Sequence, residues 1–104
     1  VVLVSAIGNP ASFRKTVTQL GVSIVKEFIY PDHYVYRSAD IDMIVAALKQ
    51  ESASVLLTTE KDAEKLAGFV PSLGDVAVFV LGIEICLEDT ADGFNSRLAR
   101  LYRI

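Results

Sequence analysis

The strongest constraint on this chain is an alternation of two periodicities. Short runs of consecutive apolar residues, rich in valine, are separated by stretches whose apolar residues recur three and four apart. Val1 to Ile7, Val22 to Tyr30, Ser54 to Leu57 and Val76 to Leu81 read as four strands, the last extended past Gly82 by Ile83-Glu84-Ile85. Unbroken apolar runs suit strands covered on both faces, as in a parallel sheet. Phe13, Val17 and Leu20 mark a first helix, capped by Asn9 with Pro10 at the first helical position and stopped by Gly21. Ile41, Ile44, Val45 and Leu48 form the stripe of a second, with Ser38 expected as its N-cap and Asp40 in the first turn. Thr59 with Asp62 three residues on reads as a capping box opening a short helix through Ala63 and Leu66, followed by a loop containing Gly68, Pro71 and Gly74. A last helix is expected from Asp89 or Thr90, with Phe94, Leu98 and Leu101 on one face.

Strands alternating with helices predict an α/β fold, a three-layer, Rossmann-like sandwich around a four-stranded, mainly parallel sheet with right-handed crossovers. The expected strand order is 2-1-3-4. Strands one and three are the most apolar, while strand two carries Lys26-Glu27, charges that suit a sheet edge. That order reverses direction between strands one and three, which places a ligand crevice between the Gly8-Asn9 and Thr58-Thr59 loops. The loop Tyr30-Pro31-Asp32-His33-Tyr34 should flank it at the same edge, and it holds the only histidine.

Composition narrows the function. A length of 104 residues, 52% apolar and 22% charged, supports one globular domain over residues 1–104. No internal repeat or interdomain linker interrupts it. A net charge of −3, with ten basic residues spread singly, argues against nucleic acid as a partner. Cys86 is the only cysteine, so no internal disulfide forms; within its apolar run it reads as a packed thiol in a reducing compartment. One histidine and one cysteine exclude a His/Cys zinc site, and no close cluster of carboxylates points to Mg²⁺, so no metal ligand is assigned. No run reaches the roughly 18 apolar residues of a membrane span. Val1 to Val4 lacks the flanks of a signal peptide. The chain begins without a methionine, inside a strand, which suggests a piece cut from a longer protein.

The candidate site residues lie in the three loops. His33 is suited to shuttling a proton, holding a phosphate or tuning a neighbouring carboxylate base, and a solvated loop histidine is the plainer alternative. Asp32 beside it does not automatically orient it. Thr59, Glu60, Lys61 and Asp62 suit an anion at a helix N-terminus, although the capping box alone accounts for Thr59 and Asp62. Asn9 has the same two readings, crevice wall and helix cap. A dinucleotide fingerprint is excluded because Pro10 and Phe13 stand where glycines are needed, and G-x-x-x-x-G-K-S/T occurs nowhere. A receiver domain would need acidic residues where Ser5 to Gly8 and Thr58 stand, and no G-x-S-x-G elbow is present.

Three stretches in register, Ala6-Ile7-Gly8-Asn9-Pro10, Ile29-Tyr30-Pro31-Asp32-His33-Tyr34-Val35-Tyr36 and Thr58-Thr59-Glu60-Lys61-Asp62-Ala63, resemble the C-terminal domain of the tetraacyldisaccharide 4'-kinase family. The family pattern has a strand ending in G-I-G/A-N-P, then F-P-D-H-H/Y-x-Y/F, then T-T-E-K-D-A. Tyr30 stands where phenylalanine is usual, and Tyr34 replaces a commoner second histidine. The ending from Glu88 through Phe94-Asn95 is similar to the Bacteroides-type version. The resemblance implies a lipid A biosynthesis kinase that moves the ATP γ-phosphate to the 4'-hydroxyl of a tetraacyldisaccharide 1-phosphate. It also implies that ATP and Mg²⁺ are held mainly by a P-loop N-terminal domain of the same chain, absent from these residues, so that the fragment alone is inactive. His33, with Asp32, would be the catalytic contribution, pairing with the base of that other domain; Asn9 and Thr59 to Asp62 would line the cleft. The whole enzyme would be cytoplasmic and peripheral to the inner membrane. The alternative from the residues alone is a stand-alone α/β anion- or nucleotide-binding regulatory domain.

Overall fold

A computed structural model describes residues 1–87 and 95–104, with side chains described outside 83–98. The order of elements is β1 (Val2–Ser5), α1 (Pro10–Gln19), β2 (Lys26–Ile29), α2 (Ser38–Gln50), β3 (Val55–Thr59), α3 (Glu60–Leu66), a 3-10 turn (Ala67–Leu73), β4 (Ala77–Leu87) and β5 (Asn95–Arg103). The five strands form one sheet in the order β2-β1-β3-β4-β5. The first four run parallel, in registers such as Val4 beside both Phe28 and Thr58. The expected 2-1-3-4 order is therefore present, with one strand added.

Each face of the sheet carries its own core, because alternate residues of a strand point to opposite sides. Val2, Val4, Ala6, Leu56 and Val78 pack with Ile41, Ile44 and Leu48 of α2 and Leu66 of α3. Leu3, Leu57 and Leu81 pack with Phe13 and Val17 of α1 on the other face. Two helical layers on one sheet make the three-layer, Rossmann-like sandwich. All four residues of β1 are buried, as a central strand requires.

Local chemistry sets the helix ends. Asn9 Oδ1 accepts from the Ser12 amide at 3.1 Å, Pro10 opens α1, and Gly21 takes φ +82 beyond its end. Leu20 lies outside the buried stripe and is exposed. At α2 the cap is Arg37 rather than Ser38, because the Asp40 carboxylate reaches back to accept the Arg37 amide at 2.9 Å. The loop expected after α3 is instead wound into the 3-10 turn, with Pro71 inside it.

Two further expectations need correction. Strand two is shorter than Val22 to Tyr30: Val22 and Ile24 fold over the α1 face as part of its core, and only Lys26–Ile29 forms ladder at the sheet edge. There Arg14 of α1 pairs with Glu27 at 2.8 Å. The last helix is replaced over its described part by β5, antiparallel to β4, and its expected start at Asp89 or Thr90 and Phe94 lies outside the described residues. Pairing with β4 satisfies the backbone groups along that strand's open side, and Ala99 and Leu101, two apart, both pack on the α1 face. The packing expected of Cys86 also lies outside the described side chains.

Candidate functional site

Parallel pairing brings the ends of β1, β2 and β3 to one edge, so the three polar loops share that edge. At the switch point between β1 and β3 lies a hollow of about 210 Å³ lined by Ile7, Asn9, Phe13, Thr59 and Leu81 among others. It stands where the strand order placed the crevice. Asn9 and Thr59 both contribute to its wall, yet both also spend side-chain oxygens on helix caps.

The Pro31–Tyr34 loop is a closed turn. The Tyr34 amide donates to the Pro31 carbonyl at 3.0 Å, and His33, third in the turn, takes φ +65. A positive φ at that position is the mark of a type II turn, normally given to glycine. For a residue with a Cβ the left-handed region costs about 1–2 kcal/mol. The conformation has a consequence for the side chains: Asp32 and His33, which would point apart on an extended chain, come together. Asp32 Oδ1 accepts the His33 amide at 3.0 Å, and Asp32 Oδ2 lies 3.8 Å from His33 Nε2. The imidazole is 80% exposed.

Lys61, at the start of α3, reaches across to Asp32 at 3.2 Å. That hydrogen bond, helped by the neighbouring His33, holds the Asp32 carboxyl below the usual carboxylate range. Gly8 of the first loop faces Asp32, since a Cβ placed on it would lie 3.5 Å from Asp32 Oδ2. Lys61 of the third loop thus meets Asp32 of the second, with Gly8 of the first nearby. Glu60 goes the other way. Its Oε1 would lie 2.7 Å from a Cβ on Gly82 of β4, beside the Tyr102 ring, so Gly82 leaves the room that Glu60 occupies. Glu60 and Lys61 therefore diverge to opposite sides of the site, and Glu60 does not join Asp32 and His33.

Asp62 does not line the crevice at all. It is wholly buried, and its carboxylate accepts the Ala6 amide at 3.1 Å, the Thr59 hydroxyl at 2.6 Å and the Tyr36 hydroxyl at 3.2 Å. Its own amide donates back to Thr59 Oγ1 at 3.1 Å, completing the helix cap. Burial, with the Asp62 carboxylate next in effect, pushes the Tyr36 hydroxyl well above the usual tyrosine range. Tyr36 belongs to an aromatic cluster in which Tyr30 stacks on Tyr34 at 4.7 Å and both meet Tyr36 edge-on. The Tyr34 hydroxyl donates to Asp40 at 2.8 Å. Sequence reasoning missed Tyr34, Tyr36 and Asp40 as the frame of the His33 turn; two tyrosines so close to the only histidine were the available signal.

Among the described residues no group of three or more His, Cys, Asp or Glu is placed to hold a metal ion. No helix among them is long and apolar enough to cross a membrane.

A mainly parallel α/β sandwich with polar loops gathered at its switch point places the domain in the Rossmann-like fold class. Comparison with known sequences is more specific. The family model for tetraacyldisaccharide-1-P 4'-kinase matches residues 1–103. The chain is 34% identical over 97 residues to the tetraacyldisaccharide 4'-kinase of Halothermothrix orenii, covering 88% of this chain and 25% of the relative. It is 37% identical over 99 residues to that of Methylorubrum populi, covering 95% of this chain and 28% of the relative. With the enzyme of Syntrophus aciditrophicus it shares 46% identity over 63 residues, 61% of this chain and 17% of the relative. No solved structure matches it. The chain belongs to the tetraacyldisaccharide 4'-kinase family and spans about a quarter of the length of the first two of these relatives.

Proposed function

We propose that these residues form the C-terminal domain of a tetraacyldisaccharide 4'-kinase and that the domain supplies one wall of the catalytic cleft, with His33 at its rim. The whole enzyme would move the ATP γ-phosphate to the 4'-hydroxyl of a tetraacyldisaccharide 1-phosphate, a lipid A precursor. ATP and Mg²⁺ would be held mainly by an N-terminal P-loop domain of the same chain, since the 104 residues contain no P-loop motif. The fragment alone is then inactive. The whole enzyme would work at the cytoplasmic face of the inner membrane, where its lipid substrate lies.

The observation that carries this reading is the His33 turn: an exposed imidazole held in a conformation unfavourable for any residue with a side chain. Backbone strain persists where the surrounding structure imposes it, and it concentrates at functional sites. Phosphoryl transfer gives such a residue a defined task. A base must take the hydroxyl proton as the oxygen attacks phosphorus, and an imidazole facing that base across the cleft places it and favours its charged form. Asp32 lies beside the imidazole, with Oδ2 3.8 Å from Nε2, and is itself held by Lys61.

The test uses the full-length protein with ATP and tetraacyldisaccharide 1-phosphate. The expected product carries phosphate at the 4' position, and deletion of residues 1–104 abolishes its formation. A full-length protein that forms no such product, or a truncated one that still does, contradicts the reading.

A further inference from the structure

We propose that Asp62 is a positioning residue for His33, acting through Tyr36; this rests on the kinase reading above. Asp62 stands in a motif that reads as a simple helix cap, and capping needs only its amide and Thr59. The carboxylate does more. It ties together three segments that are far apart in sequence: the amide of Ala6 where β1 gives way to the first loop, the Thr59 hydroxyl at the end of β3, and the Tyr36 hydroxyl three residues beyond His33. All of this happens with Asp62 wholly buried and Tyr36 nearly so.

The chain from β2 to α2 has no ladder of its own between Ile29 and Ser38 apart from the Tyr30 amide on Ser5. Its position over the sheet therefore depends on side chains. Tyr30 stacks on Tyr34 and both meet Tyr36 edge-on, but ring packing fixes a loop less sharply than a hydrogen bond does, because rings shift against one another at little cost. Lys61 and Lys65 of α3 also reach this loop, at Asp32 and at the Tyr34 carbonyl, but through flexible ammonium groups near solvent; the Tyr36–Asp62 bond is the buried link that sets the cluster, and the His33 turn with it, against the ends of β1 and β3. The other tyrosine bond, Tyr34 to Asp40, closes within the same loop and α2 and so cannot set that relation.

The variant to make is Tyr36→Phe in the full-length protein. It removes one hydroxyl and keeps the ring, whereas truncating Asp62 would leave two buried donors and the part-buried Thr59 hydroxyl unpaired and risk unfolding. Hydrogen exchange over residues 30–37 is expected to quicken. With ATP and tetraacyldisaccharide 1-phosphate, kcat is expected to fall roughly tenfold with KM little changed, in line with losing a hydrogen bond to a charged group. In a His33→Ala background the same change is expected to cost nothing further, because the residue being positioned is gone. Unchanged exchange over residues 30–37 overturns the proposal, and so does a cost that multiplies with that of His33→Ala. A wild-type protein without 4'-kinase activity sinks the kinase reading instead, and the exchange measurement then decides by itself whether Asp62 anchors the turn.

Discussion

Two turns at one edge of the sheet are equally polar in sequence and opposite in structure. The Thr59–Asp62 turn directs its carboxylate inward, where every acceptor bond is made to the protein itself. The Asp32–His33 turn directs its side chains outward, with the imidazole mostly in solvent and the backbone held in a left-handed conformation. The first turn spends its Asp62 carboxylate on joining strands and loops. The second leaves its imidazole available. Polar residues after parallel strands are thus no single category: one set builds the edge and the other is displayed by it.

The comparison breaks most readily at Asp62. Asp62→Ala is expected to cost about 3 kcal/mol or more in chemical denaturation, because two buried donors and one part-buried donor lose their acceptor at once. A cost under about 1 kcal/mol would show that the turn is not the internal joint its bonds describe. The opposite sign is expected at the other turn. Glycine accepts φ +65 freely, so His33→Gly is expected to stabilise the fold by about 1 kcal/mol while lowering turnover. A loss of stability there would mean that the imidazole packs rather than waits.

The smallest expected effect is electrostatic. Asp32 carries a carboxyl lowered first by its hydrogen bond to Lys61. A lowered folded-state value means that the pairing's stabilisation is present above the ordinary value of 3.8 and disappears as pH falls through the lowered one. Lys61→Gln is expected to move the Asp32 titration upward toward that ordinary value, read from its carboxyl carbon by NMR. A titration that stays put would show that Lys61 does not hold Asp32 in solution.

Much of this architecture was legible because burial writes itself into sequence. Val2, Leu3 and Val4 could only be a central strand, and the Lys26-Glu27 pair marked an edge. Asn9-Pro10 and Thr59 to Asp62 announced helix starts that the structure contains. What failed did so for identifiable reasons. Phe94, Leu98 and Leu101 carry helical spacing, but Ala99 and Leu101 alternate as well, and tertiary pairing with β4 decided between the two periods. Ser38 looked like a cap because hydroxyls usually are; the reach of Asp40 to the Arg37 amide moved the boundary by one residue. The sharing of Asp62 with Tyr36 spans 26 positions, and no local pattern signals a bond of that range. The approach of Asp32 to His33 depends on a single φ angle that residue type alone would not suggest.

The central claim is that the displayed turn acts in chemistry while the buried turn builds the edge. Its most direct test is His33→Ala in the full-length protein, measuring transfer of phosphate to tetraacyldisaccharide 1-phosphate together with the denaturation midpoint. The predicted result is turnover lower by roughly 100-fold or more, the range for removing a group that assists proton transfer, with the midpoint unmoved or slightly raised. Turnover that survives the change in a folded protein would contradict the claim and leave His33 a solvated residue in a strained turn.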